Sequence, residues 1–196
     1  MARSVFEPRI AGAIVVLALV AAACGGDGAE PSAGGEAAAP FGEACSDVPD
    51  SGAGSFEGMM TAPVAEAAAA NPLLSSLVMD LELAGLADTL NSAEALTVFA
   101  PTDDAFAAAA EADPEGMEAM MADPTGDFAD LLSYHVVEGQ IAPADLAGEH
   151  ETLQGSTLSV AGSGESFTVD GMARVVCGDI HTDNATVYII DEVLHP

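Results

Sequence analysis

Apolar positions recur along this chain in two different rhythms. From about Phe56 to Asp123 the spacing is that of helices around one strand. Thr61 and Pro63 read as the cap and first turn of a short alanine-rich helix that Asn71-Pro72 ends. Leu73, Leu74, Leu77, Val78 and Leu81 then recur on one helical face, and Gly85 stands where such a helix is capped. Leu96 to Ala100 is rich in strand formers. Pro101 to Asp104 turns into a helix with acids in its first turn, where the helix dipole favours them. Asp113-Pro114 and Asp123-Pro124 punctuate the helical segments that follow. After this the rhythm shortens. Residues 134–137, 157–160, 166–169, 173–176 and 186–190 are short, β-branched and separated by Gly, Asp or Asn, which predicts strands. Helices gathered early and strands gathered late indicate an α+β fold.

One apolar stretch belongs to neither rhythm. Ile10 to Ala23 carries no charge and follows a segment with Arg3 and Arg9. A helix of that length spans roughly 21 Å, short of a bilayer core of ~30 Å, so residues 1–23 read as a removable export leader. Two cleavage chemistries compete at its end. Ala21-Ala22-Ala23 suits ordinary signal peptidase, while Val20-Ala21-Ala22-Ala23-Cys24 resembles a bacterial lipobox, with Ala21 where leucine is favoured. The Gly/Ala/Glu/Pro composition that follows supports lipidation of Cys24, because such a segment forms a disordered tether, residues 24–44. Cysteine counting agrees: of three cysteines, lipidation accounts for Cys24 and leaves Cys45 and Cys177 to pair in an oxidising compartment. The remaining 45–196 is expected to form one domain.

Charge narrows the range of partners. The chain has 32 Asp and Glu against three arginines and no lysine, a net charge of −29, and beyond the leader Arg174 is the only arginine. Such a surface repels phosphate backbones, so no nucleic-acid partner is expected. Solubility through self-repulsion explains the acidity; bridging of an anionic polymer by divalent cations is the sharper alternative, and no cluster in the sequence supports it.

Three blocks of sequence carry a resemblance. Ala84-Gly85-Leu86 followed by residues 97–106, Leu131 to Gly139 around Tyr134-His135, and Val187 to Pro196 stand in the order and spacing of the fasciclin (FAS1) family, and Thr152 to Gly155 is similar to that family's connecting strand. The resemblance covers roughly residues 58–196. It narrows to the secreted and lipid-anchored FAS1 surface antigens of mycobacteria and their actinobacterial relatives, which pair a cysteine ahead of the domain with one in a Val-Val-Cys-Gly stretch, as at residues 175–178, and share a run like Asn184 to Tyr188. It implies a wedge-shaped β-sandwich flanked by N-terminal helices and a role in adhesion or interaction at the cell surface. Many eukaryotic FAS1 domains have Asn-Gly where this chain has Asn184-Ala185, so receptor contacts of animal matrix proteins do not carry over.

Chemistry is hard to assemble from these residues. No nucleophile elbow, phosphate loop, zinc-protease or EF-hand pattern occurs, and without lysine there is no Schiff base. His135 reads either as a base or ligand or as a buried histidine satisfied by hydrogen bonds, and the second reading is favoured. The resemblance places Tyr134 and His135 in or under an adhesion surface. His150 between Glu149 and Glu151 is a weak metal candidate, since neighbours in an extended segment point apart. The expectation is a lipid-anchored, extracytoplasmic, non-catalytic module that needs no cofactor or metal and binds a surface protein or glycan. The alternative is an envelope enzyme or small-ligand carrier with a pocket in the domain.

Overall fold

The computed structural model describes residues 39–196. Its first half is helical: α1 (Phe56–Met59), α2 (Val64–Ala69), α3 (Ser75–Leu83) and α4 (Ala87–Ser92) precede β1 (Leu96–Pro101), and α5 (Asp103–Ala112), α6 (Pro114–Ala122) and α7 (Asp127–Tyr134) follow it. Local chemistry explains many of the boundaries. Thr102 caps α5 by accepting the Ala105 N–H at 3.1 Å, Asp113 caps α6 by accepting Gly116 N–H at 3.0 Å with Pro114 in the first turn, and Gly85 at φ +70° closes α3. The start of α2 departs from expectation. Its cap position is Pro63, not Thr61, whose hydroxyl instead bonds the Gly58 carbonyl. The N–H groups of Val64 and Ala65 are taken by the side-chain oxygens of Asn184 (2.9 Å) and Asn91 (3.0 Å).

The strands are β2 (Val136–Glu138), β3 (Gly148–Glu151), β4 (Thr157–Ser163), β5 (Ser166–Val169), β6 (Ala173–His181) and β7 (Ala185–Ile190). They form one mixed sheet in the order β2-β1-β7-β6-β5-β4-β3, with β1 and β7 parallel and every other pair antiparallel. A bridge between Val137 and Thr152 brings the two ends together, so the sheet is nearly closed on itself. Tyr134 and His135 end α7 rather than starting a strand. β3 went unread in the sequence because Gly-Glu-His-Glu has no apolar position: none of its residues is buried.

β1 and β7 are buried along their whole length, which is why they read as continuous apolar runs. Leu96, Val98, Ala100, Val187 and Ile189 pack under the helices with Leu77, Leu81, Phe106 and Phe128. Phe99, Tyr188 and Ile190 face a second core with Leu146, Leu158, Phe167, Val169 and Leu194.

Ordered packing starts earlier than the expected boundary at residue 45. Phe41 is buried in the second core and exchanges two backbone hydrogen bonds with Gly178, at 3.1 and 2.8 Å. Gly42 beside it lies at φ +114°, and a Cβ there would stand 2.2 Å from the Val176 carbonyl oxygen, so only glycine lets the chain lie this close to β6. The Phe41 ring seats the segment ahead of Cys45 in the domain, a contact that composition does not reveal. Cys45, on a 3-10 turn (Glu43–Asp47), is joined to the fully buried Cys177 of β6 by a disulfide with Cα atoms 5.0 Å apart. It closes a span of 132 residues. In the chain-entropy model that contributes about 5 kcal/mol.

Candidate functional site

The Tyr134-His135 pair sits where α7 runs into β2, beneath the C-terminal segment. Leu131, Leu132 and Tyr134 are the buried face of α7, so the helix delivers both residues into the interior. His135 is 2% exposed. Its Nδ1–H donates to the Leu131 carbonyl at 2.8 Å, and its Nε2 accepts the Leu194 N–H at 2.9 Å; these two partners set the neutral tautomer. Burial, the dominant influence, pushes the imidazole down to about 4. Tyr134 is 4% exposed and donates its hydroxyl to Asp170 Oδ2 at 2.8 Å; burial and that carboxylate push the phenol up to about 12. Asp170 is itself held by the Ser159 N–H at 2.8 Å.

This arrangement puts the pair under the surface of the domain and not in it. Neither side chain reaches the surface, and both nitrogens of His135 are occupied by backbone groups. The pair pins the C-terminal segment and the β4–β5 region onto α7, a packing role of the kind the hydrogen-bond reading of His135 anticipated. His150 likewise spends Nε2 on the Leu146 carbonyl, at 2.8 Å. Among the described residues, no group of three or more His, Cys, Asp and Glu is placed to hold a metal ion. Cys45 and Cys177 are brought together as described above. Cys24, the leader and most of the tether lie outside the described residues.

Three features escaped the sequence reading. Asn184 Nδ2 donates to the carbonyls of Leu90 (2.7 Å) and Ala93 (2.9 Å) while its Oδ1 accepts from Val64, so one side chain ties α2, α4 and the β6–β7 turn. Asp179 occupies a bulge in β6 at φ +59°, is 1% exposed, and has no hydrogen-bond partner for its carboxylate, with His181 Nε2 3.3 Å away. Burial raises its pKa. Asp80, buried on α3, is likewise pushed up by burial, to about 6. Periodicity gives no sign of any of these: the partners of Asn184 lie 91 to 120 residues away, and the burial of Asp179 and Asp80 is set by what packs over them.

Two concave features lie at the closing seam of the sheet. A cleft of about 800 Å³ runs between the α4–β1 connection and Glu138, and one of about 510 Å³ runs between β2 and β3. Glu138 and Leu153 line both. Neither Asp80 nor Asp179 lines either of these two clefts.

A nearly closed mixed sheet with helices packed over one side defines a class of α+β domain. The solved FAS1 domain pair of the insect cell adhesion molecule fasciclin I shares this fold, with a TM-score of 0.63 at 17% identity over 71% of this chain and 52% of that one. The fasciclin domain model matches residues 72–196, and the chain belongs to the fasciclin domain family. It is 44% identical over 152 residues to the cell surface glycolipoprotein MPB83 of Mycobacterium bovis, a match covering 74% of this chain and 66% of that protein's length. It is 40% identical over 171 residues to the immunogenic protein MPB70 of the same species, covering 85% and 86%.

Proposed function

We propose that this chain is a non-catalytic binding module displayed on the outer face of the cell envelope, anchored by acyl chains on Cys24 and recognising a protein or glycan partner. The observation that carries the reading is its 44% identity to a cell surface glycolipoprotein. Two features of the chain support it. Among the described residues no helix is long and apolar enough to cross a membrane, and Cys24 behind an apolar leader is a suitable point of attachment. A single acyl chain binds membranes only marginally, whereas two hold stably, as a diacylglyceryl cysteine would. The histidine best placed in sequence for chemistry is spent on backbone bonds.

The test is intact-mass analysis of membrane-bound protein together with a Cys24→Ser variant. The expected result is a mature chain beginning at Cys24 with acyl mass on it, and a variant released in folded form. An unmodified Cys24, or a variant that stays bound through a salt wash, removes the anchor from the proposal. Reproducible hydrolase, transferase or redox turnover by the purified chain removes its non-catalytic character.

A further inference from the structure

β3 is the least covered strand of the sheet. Its outer edge meets β2 only through the Val137–Thr152 bridge and a 2.7 Å bond from Leu153 N–H to the Val136 carbonyl. Exposed edges are normally shielded. Here the shield is partial, and the two clefts flank it with Glu138 and Leu153 as shared wall.

Leu153 is 39% exposed, yet it is not on a loose loop tip. Thr152 bonds the Ser156 carbonyl through both its N–H and its hydroxyl, each at 2.9 Å, and Gly155 N–H returns to the Thr152 carbonyl at 2.9 Å. A backbone held this firmly has little freedom left to lose when the apolar side chain it carries is covered. Around it the walls carry Glu94, Glu138, Glu149 and Glu151, and neither cleft contains a lysine or arginine.

That lining discriminates among occupants. A second copy of the domain is a poor match for it: beyond residues 1–23 the sequence has no lysine and one arginine, Arg174, which is held by Asp191 at 2.7 Å. An anionic glycan meets the same repulsion. We infer that the seam docks an extended peptide segment of a protein partner that carries arginine or lysine, with an apolar side chain over Leu153 and cations beside Glu138, Glu149 and Glu151. This rests on the binding-module reading and narrows its partner to a basic polypeptide.

The experiment measures fluorescence anisotropy of a labelled peptide alternating arginine and leucine, titrated with the full chain. Companion peptides carry glutamate for arginine or serine for leucine. Saturable binding is expected for the first peptide and not for the companions. Replacing Glu138, Glu149 and Glu151 together by Gln weakens it about tenfold, and Leu153→Ser weakens it about fivefold. Replacing Glu111, Glu115 and Glu118 together by Gln removes the same charge from α5 and α6 and leaves binding within about twofold. Absence of saturable binding, an equal loss in both triple variants, or an unaffected Leu153→Ser protein overturns the inference. Retention of the same proteins on envelope material then judges the binding-module reading separately.

Discussion

Protonation of His135 would set a donor against a donor, because its Nε2 is the acceptor of the Leu194 N–H. The imidazole is held at about 4 in the fold against 6.5 for an unperturbed group. Above about pH 6.5 its contribution is fully present; as pH falls the unfolded chain takes up the proton first, and stability is lost progressively down to about pH 4. The loss amounts to about 3 kcal/mol. Asp80 works with the opposite sign: its carboxyl, raised to about 6, is penalised above that pH and relieved as pH falls toward 3.8. Comparing wild type with His135→Ala in urea cancels Asp80. The gap is expected to be about 4 kcal/mol near neutral pH, from the cavity and the orphaned Leu194 N–H, and to shrink to about 1 kcal/mol near pH 4. A gap that stays constant across this range means that His135 is not the titrating group. A histidine packed at a helix-to-strand junction was legible in the sequence, but its partner, which lies 59 residues away, was not.

At the scale of elements, α2 begins without a cap of its own. Its first two N–H groups are satisfied by Asn184 and Asn91, the former 120 residues away in sequence. Asn184→Ala removes the Val64 cap and leaves the Leu90 and Ala93 carbonyls without their donor. The expected cost is about 3 kcal/mol, with faster amide exchange in α2 and α4 than in the sheet. Uniform exchange, or a cost below about 1 kcal/mol, would show that water replaces the side chain. Thr61 was the natural reading of the cap, since a capping hydroxyl is sought next to the helix it serves. The fold uses a residue from the β6–β7 turn instead because the turn passes directly over the start of α2.

At the scale of the whole molecule, charge dominates. With a net charge of −29 and Arg174 already paired to Asp191, carboxylates repel one another across the surface with almost nothing to offset them. Added monovalent salt screens that repulsion. Raising it from about 0.02 M to about 0.5 M is expected to stabilise the fold by about 1 kcal/mol, or about 4 °C in Tm. A flat or falling melting curve would mean that the acids stand too far apart to matter.

What the sequence determined alone is what neighbouring residues dictate: helices before strands, the strand at Leu96 to Ala100 with its following turn into a helix, the break at Asp113-Pro114, and the surplus of acid. Cysteine counting reached one long-range pair, Cys45 with Cys177, because so few cysteines leave few combinations. Tertiary structure decided the rest. It set the parallel pairing of β1 with β7, the near closure of the sheet through Val137 and Thr152, the docking of Phe41, the burial of Tyr134 and His135, and the seam around Leu153. Each joins residues tens of positions apart. Propensity and periodicity act over a turn of helix or a few strand residues, so they carry no record of which distant surface an element will meet.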